Sequence, residues 1–416
     1  MNKRKALVYF FITYGVFCLL SLNRHSQAVS YNYHSELFAD KAGYNVYLPA
    51  LFIYDFDATK FPKQTDLKTG SGFTLDSASG KVITKYPYGV ALLESPFWLI
   101  AHVLSETKDG YSSGYQKSID FAGSFYLTLG LLFLCITINR YRSVSISIGI
   151  SVLIAFSTGI FYYGIFETGM SHIYSFCCFA IILYLSLNQE KTTTHFLLLG
   201  AVSALYVVIR PLNSLFLLPI LLFILMSEKI SLKDAMIKLL TLKTTLYLLL
   251  IVSVIMAPQL LYYRYAFGSF FADSYQNEPF FFPSLKRITE LLYSPHNGLF
   301  IYYPILLMML LYSIFHKNKY NKLSWLLMVA YVLIYASWWS LSLGCSFGHR
   351  AINDIAIVFF IPVFMSEKKI PNLIFFVLIM CAIINLKFIF SYDTCLYTST
   401  NWDFTEYRSI LFGEFK

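Results

Sequence analysis

Apolar runs approaching the width of a bilayer recur along nearly all of this 416-residue chain, and that recurrence constrains its fold more than any single motif. A helix needs about 20 apolar residues to cross roughly 30 Å of hydrocarbon. Such stretches fall near residues 6–22, 119–138, 145–165, 173–187, 195–209, 213–226, 244–263, 298–315, 323–343, 351–365 and 371–391. They are continuous and lack the alternation of barrel strands, so their backbone hydrogen bonds must close within helices. The expected fold is therefore all-α: a polytopic membrane protein with roughly 11 transmembrane helices in a single domain over residues 1–416. Composition agrees, because 57% hydrophobic and only 13% charged residues leave too little polar surface to cover a soluble globule.

A net charge of +9 does not point to nucleic acid here, since basic residues in polytopic proteins mark cytoplasmic loops. With Lys3, Arg4 and Lys5 inside, the inner loops hold Arg140, Arg142, Lys191, Lys229 to Lys243, Lys317 to Lys322, Lys368 and Lys369. This requires that the stretch YPYGVALLESPFWLIAHVL, residues 86–104, does not cross. Glu94 and Pro96 in its middle disfavour a crossing, so the expectation is an interfacial helix. Residues 23–118 then form one extracytoplasmic loop with three parts. These are an aromatic amphipathic segment at 36–54, a turn-prone segment at 66–85 and the interfacial helix at 86–104. The first apolar run lacks a small-residue cleavage site and is expected to be retained as a span. Cys18, Cys135, Cys177, Cys178 and Cys381 fall within spans as small apolar groups; a bridge between Cys345 and Cys395 has no support from spacing.

In this topology the ionisable residues collect on one side. Glu36, Asp40, Asp55, Asp57, Lys85, Glu167, Arg210 and Arg350 face outward, with His25, His34, His102, His172, His296 and His349; only His195 and His316 of the eight histidines lie inside. One-sided enrichment suits a reaction centre at the outer interface better than a pathway through the membrane.

Six fragments in order resemble a known family. FADKAGYNVYLPALF after the first span looks like an acidic first-loop motif, KYPYG like a Lys-Pro step, and FETGMSHIYSF like a second acidic motif. VVIRPLNSLFLLPILL looks like an Arg-Pro break between middle spans; YSPHNGLFIYYPILL and WWSLSLGCSFGHRAINDIAIVFFIPV resemble later bacterial motifs. Together they resemble the polytopic glycosyltransferases of the C superfamily, which use polyprenyl-phosphate-linked sugars and include protein O-mannosyltransferases and lipid A aminoarabinose transferases. The chain departs in having a single Asp40 followed by Lys41 where many members carry an acidic pair, and in lacking a large soluble C-terminal domain.

The resemblance implies sugar transfer from a polyprenyl-phosphate carrier to a lipid, glycan or protein acceptor at the outer face of a cytoplasmic membrane. The alternative is a flippase of a lipid-linked sugar. A phosphate leaving group needs no proton, so the chemistry calls for a base and a cation. Asp40 is the expected base and Glu167 its assisting carboxylate, with Lys85 and Arg350 on the donor phosphate. His172, Tyr44, Tyr86 and His349 are the expected contacts to donor or acceptor. On the residues alone, Asp40 suits a helix terminus better than a base, Lys85 equally suits a snorkelling anchor, and Arg350 suits an anchor in the headgroup layer. No cofactor is expected. A divalent ion held by Asp40, Glu167 and His172 is the lesser alternative, because neither HExxH nor a paired CxxC occurs. The Lys, Ile, Tyr and Phe bias suggests a bacterial source with an AT-rich genome.

Overall fold

The computed structural model describes the chain except residues 2, 29–30, 188–191, 228–240, 277, 316–319, 345, 365–369, 392–402 and 414–416. The described chain is mostly helical. Four helices are long and apolar enough to cross a membrane: Lys3–Arg24, Ser113–Ile138, Leu242–Phe267 and Asn372–Ser391. Several shorter apolar helices accompany them, among them Gly89–Leu104, Val144–Ser157, Ser171–Ser186, Thr193–Ile209, Pro304–Phe315 and Asn321–Ser337. The helix Leu242–Phe267 leaves Leu242, Leu246, Leu249, Val254 and Leu261 uncovered along its length. Exposed apolar faces of this kind suit hydrocarbon better than water, and the helices are compatible with a membrane protein.

Helix ends follow local chemistry. Thr192, Thr241 and Ser284 cap the helices that follow them with side-chain oxygens, and Gly268 at φ 79° closes Leu242–Phe267. Arg210 precedes Pro211, a position from which the helical conformation is sterically excluded; it sits extended at φ −150°, ψ 113°, and ends Thr193–Ile209.

Lys3–Arg24 runs antiparallel to Ser113–Ile138. The Met1 amino group meets the Asn139 side chain at one end, while Ser21 Oγ donates to Asp120 Oδ1 at 2.7 Å near the other. Arg140, which donates to the Tyr184 carbonyl, lies with the first end; Glu167, Arg210 and Arg350 gather with the second.

Three expectations need correction. The helical fold is interrupted by a short antiparallel hairpin, Thr74–Asp76 with Lys81–Ile83, in register Leu75 to Val82. β-Branched residues flank a turn closed by Gly80 at φ 69°, which favours a strand pair over the loop expected there. Of residues 351–365, expected to span, the described part, to residue 364, instead falls in two 3₁₀ turns, Arg350–Asp354 and Ala356–Phe359, and a short helix, Ile361–Phe364. Ile352, Ile355, Val358 and Phe359 are buried inside the protein, so the apolar run serves a core; length alone does not separate the two uses. The expected spans near 145–165 and 298–315 are each broken, at Thr158 and before Pro304. The five cysteines within helices are free and buried; Cys345 and Cys395 lie outside the described residues.

Gly89–Leu104 is pinned by the carboxyl group expected to keep it from crossing. Glu94 is fully buried and accepts from Asn45 Nδ2 at 2.8 Å and from the Tyr174 hydroxyl at 3.0 Å. Burial raises its pKa from 4.5 to about 8. A carboxyl whose folded pKa exceeds its unfolded value contributes stability fully present below the unfolded pKa and lost as pH rises through the folded one. Stability is therefore expected to fall between pH 4.5 and about 8. Glu94→Gln should reduce that slope by about 1.4 kcal/mol per pH unit in unfolding measured across the window. An unchanged slope in the variant would show that Glu94 is charged throughout.

Candidate functional site

Asp40 opens the short helix Asp40–Asn45 at a strained point. Ala39 before it has φ 50°, ψ −125°, a region that non-glycine residues rarely adopt. Its N–H donates to the Thr69 carbonyl at 2.7 Å, and the chain around Gly72 packs so closely that a Cβ there would stand 1.8 Å from the Ala39 oxygen. The loop 69–72 thus fixes where the Asp40 side chain emerges.

Both Asp40 oxygens are engaged. The Tyr86 hydroxyl donates to Oδ1 at 2.6 Å, and Arg350 Nη2 donates to Oδ2 at 2.7 Å across 310 positions of sequence. Burial alone would raise the Asp40 pKa, but the Arg350 charge, the Tyr86 hydroxyl and the Lys85 charge outweigh it and hold the carboxyl below its usual value. Asp40 is therefore an ionised carboxylate, and its side chain stays 29% exposed. Tyr86 retains its proton, because burial and the Asp40 charge push its pKa well up. The two tyrosines named from the sequence adjoin each other: the Tyr44 and Tyr86 rings lie 4.4 Å apart, and Tyr44 donates to Ser171 Oγ at 3.0 Å. Gly43 makes room for this, since a Cβ there would stand 2.4 Å from the Tyr86 ring.

Arg350 is presented by a turn at Gly348, φ 61°, which presses against the Tyr303 ring. Four residues on, Asp354 accepts from Arg210 Nη1 at 2.8 Å and lies 2.9 Å from His172 Nδ1, which is itself 3.0 Å from Arg210. Arg210 reaches this point because Pro211 forces it out of its helix. Lys85 lies 5.3 Å from the centres of both the Tyr86 and Tyr275 rings and pairs with Glu278.

The structure thus brings Asp40, Arg350, Tyr86 and Tyr44 into one cluster, with Lys85 beside Tyr86 and His172 joined through Asp354 and Arg210. Two expected members stand apart. Glu167 is the counter-ion of the buried Lys41, 2.8 Å away, so it is not a second free carboxylate beside Asp40. Lys41 accounts for this: a buried lysine needs an anion, and Glu167 supplies it. His349 is fully buried and bonds to Tyr331, so unlike Asp40 and Arg350 it presents no exposed surface to a ligand. Asp40, Glu167 and His172 are held by different partners and form no metal-ligand set. Among the described residues that spacing belongs to His25, Glu36 and Asp120. A small apolar cavity lined by Leu134, Ile154, Leu183, Ile357 and Phe364 touches none of the charged residues.

Sequence reasoning missed Asp354, Glu278 and Tyr275 and gave Arg210 no role. Arg-Pro at a helix end was the signal for Arg210, and an acid one turn after Arg350 the signal for Asp354. Glu278 carried none.

Fold and site together define a mostly helical chain with membrane-length apolar helices and a charged cluster whose Asp40, Arg350 and Lys85 side chains are partly exposed. Compared with protein-family models, curated proteins and solved structures, the chain matches none.

Proposed function

We propose that the chain is a membrane glycosyltransferase. It moves a sugar from a polyprenyl-phosphate carrier to an acceptor hydroxyl at the outer face of a cytoplasmic membrane. The observation that carries this reading is the Asp40 carboxylate, ionised and partly open, held between the Arg350 guanidinium and the Tyr86 hydroxyl with Lys85 close by. A partly exposed base with two cations close by is what transfer from a phosphate-linked sugar requires.

In this reading the donor phosphate draws Arg350 and Lys85 from their present partners, Asp40 and Glu278. Release of Arg350 raises the basicity of Asp40 as substrate binds, so the base is strongest when the acceptor hydroxyl arrives. Attack at the anomeric carbon forms the new C–O bond, breaks the bond to phosphate oxygen and passes the acceptor proton to Asp40. The lipid phosphate leaves carrying the bonding electrons, neutralised by the two cations. Tyr44 and Tyr86 offer faces for the sugar ring, and the Arg210–Asp354–His172 cluster holds the floor of the site.

Arg350→Lys keeps the charge but loses the planar fork. It is expected to raise the donor KM about tenfold, as for one charge-assisted hydrogen bond of about 1.5 kcal/mol. An unchanged donor KM and rate would remove Arg350 from phosphate binding. Mass analysis of cell-envelope glycans with and without the protein tests the reading as a whole: one sugar is expected to disappear from a lipid, glycan or protein, and an unaltered envelope would count against it.

A further inference from the structure

A second polar cluster lies outside this site. His25 follows the helix Lys3–Arg24, Glu36 belongs to the loop leading to Asp40, and Asp120 sits in Ser113–Ile138. One ligand atom from each lies within 4.8 Å of the others. The three residues are 7%, 4% and 0% exposed, a depth at which two carboxylates and an imidazole are costly without compensation.

The hydrogen bonding is directional. His25 Nε2 lies 3.2 Å from the Phe166 carbonyl oxygen, which can only accept, so Nε2 carries a hydrogen. Nδ1 is then turned towards Asp120, 2.7 Å from Oδ1. An imidazole fixed through one nitrogen by a backbone carbonyl, with the other aimed at anionic oxygens, is the arrangement adopted by metal-ligating histidines. Ser21 and Thr168 donate to Asp120 Oδ1 at 2.7 and 3.2 Å, as outer partners do for a ligating carboxylate. Asp120 Oδ2 is buried with no hydrogen bond of ordinary geometry from the described residues. Buried carboxylate oxygens are ordinarily satisfied, and here the Glu36 carboxyl is the polar group turned towards Asp120, so two carboxyls and an imidazole converge on one point.

We propose that His25 Nδ1, Glu36 and Asp120 bind one divalent transition-metal cation of the zinc or manganese class. One imidazole nitrogen with two carboxylates suits these ions, whereas calcium and magnesium take oxygen ligands. The cation joins the end of the first helix, the loop entering Asp40 and the helix Ser113–Ile138. Its place is structural: it fixes the segment four residues ahead of Asp40.

The test uses the full chain in detergent, stripped with chelator and titrated in separate runs with zinc chloride and with manganese chloride. Metal content, calorimetry and thermal unfolding are read together. The wild type is expected to take up one equivalent and to unfold at a higher temperature when loaded. Glu36→Gln and Asp120→Asn, both close in shape to the originals, should each weaken binding at least about tenfold. Cobalt-loaded protein should lack thiolate charge-transfer absorption, which excludes the cysteines as ligands. Folded wild type that takes up neither zinc nor manganese overturns the proposal, as does one equivalent bound with equal affinity by wild type and both variants.

Discussion

Asp40→Asn is expected to lower the rate of sugar transfer by about 10²- to 10⁴-fold, the range that loss of a general base commands. Asparagine keeps the shape and one acceptor oxygen, so the bond from the Tyr86 hydroxyl survives while the charge facing Arg350 disappears. Arg350 is 18% and Asp40 29% exposed at the side chain, so solvent takes up part of the unpaired charge and the fold should persist. The variant also frees Arg350 from its carboxylate competitor. The donor KM should therefore stay level or fall while kcat collapses, a split that a merely structural Asp40 would not produce. Near-normal kcat in folded variant would remove Asp40 from the chemistry.

The largest effect on stability belongs to Asp354. It is almost wholly buried beneath the site and pairs with Arg210, with His172 alongside; burial raises its pKa to about 7 against the pull of Arg210, so the pair is fully charged only above that pH, where the measurement is made. Removing one partner of a buried pair leaves the other without compensation, at about 3–5 kcal/mol. Asp354→Ala is expected to lose that much in thermal or denaturant unfolding. Arg210→Leu combined with Asp354→Ala should recover part of it, because the uncompensated charge goes too. A single variant as stable as wild type, or a double variant less stable than the single, would show that the pair does not hold the floor of the site.

Much of this site was legible because its residues sit beside backbone punctuation. Lys85 and Tyr86 precede Pro87 and Arg350 follows Gly348, places where a helix must start or stop and a side chain is delivered to one end of the bundle; Arg210 before Pro211 carried the same signal but was given no role, and Asp40 stood out by its motif rather than by the strain at Ala39, which only the fold shows. Contacts across long separations were not legible. Whether Glu167 faced Asp40 or Lys41 depends on how segments about 127 positions apart pack, and Tyr44 to Ser171 shows the two segments meeting only in the fold. The apolar stretch after Arg350 misled for a related reason: burial in protein and burial in lipid select the same side chains, and only packing against neighbouring helices separates them. The hairpin at residues 74–83 was hidden by its brevity, with three residues to a strand.

The most direct test reconstitutes the purified protein in liposomes with a polyprenyl-phosphate-linked sugar bearing a radiolabel in the sugar, together with extracts of candidate acceptors. The account predicts that the label leaves the lipid, joins an acceptor and releases one free lipid phosphate per sugar moved, with Asp40→Asn inert. Donor that crosses the bilayer with its sugar still attached, equally in wild type and variant, would contradict it and favour a flippase.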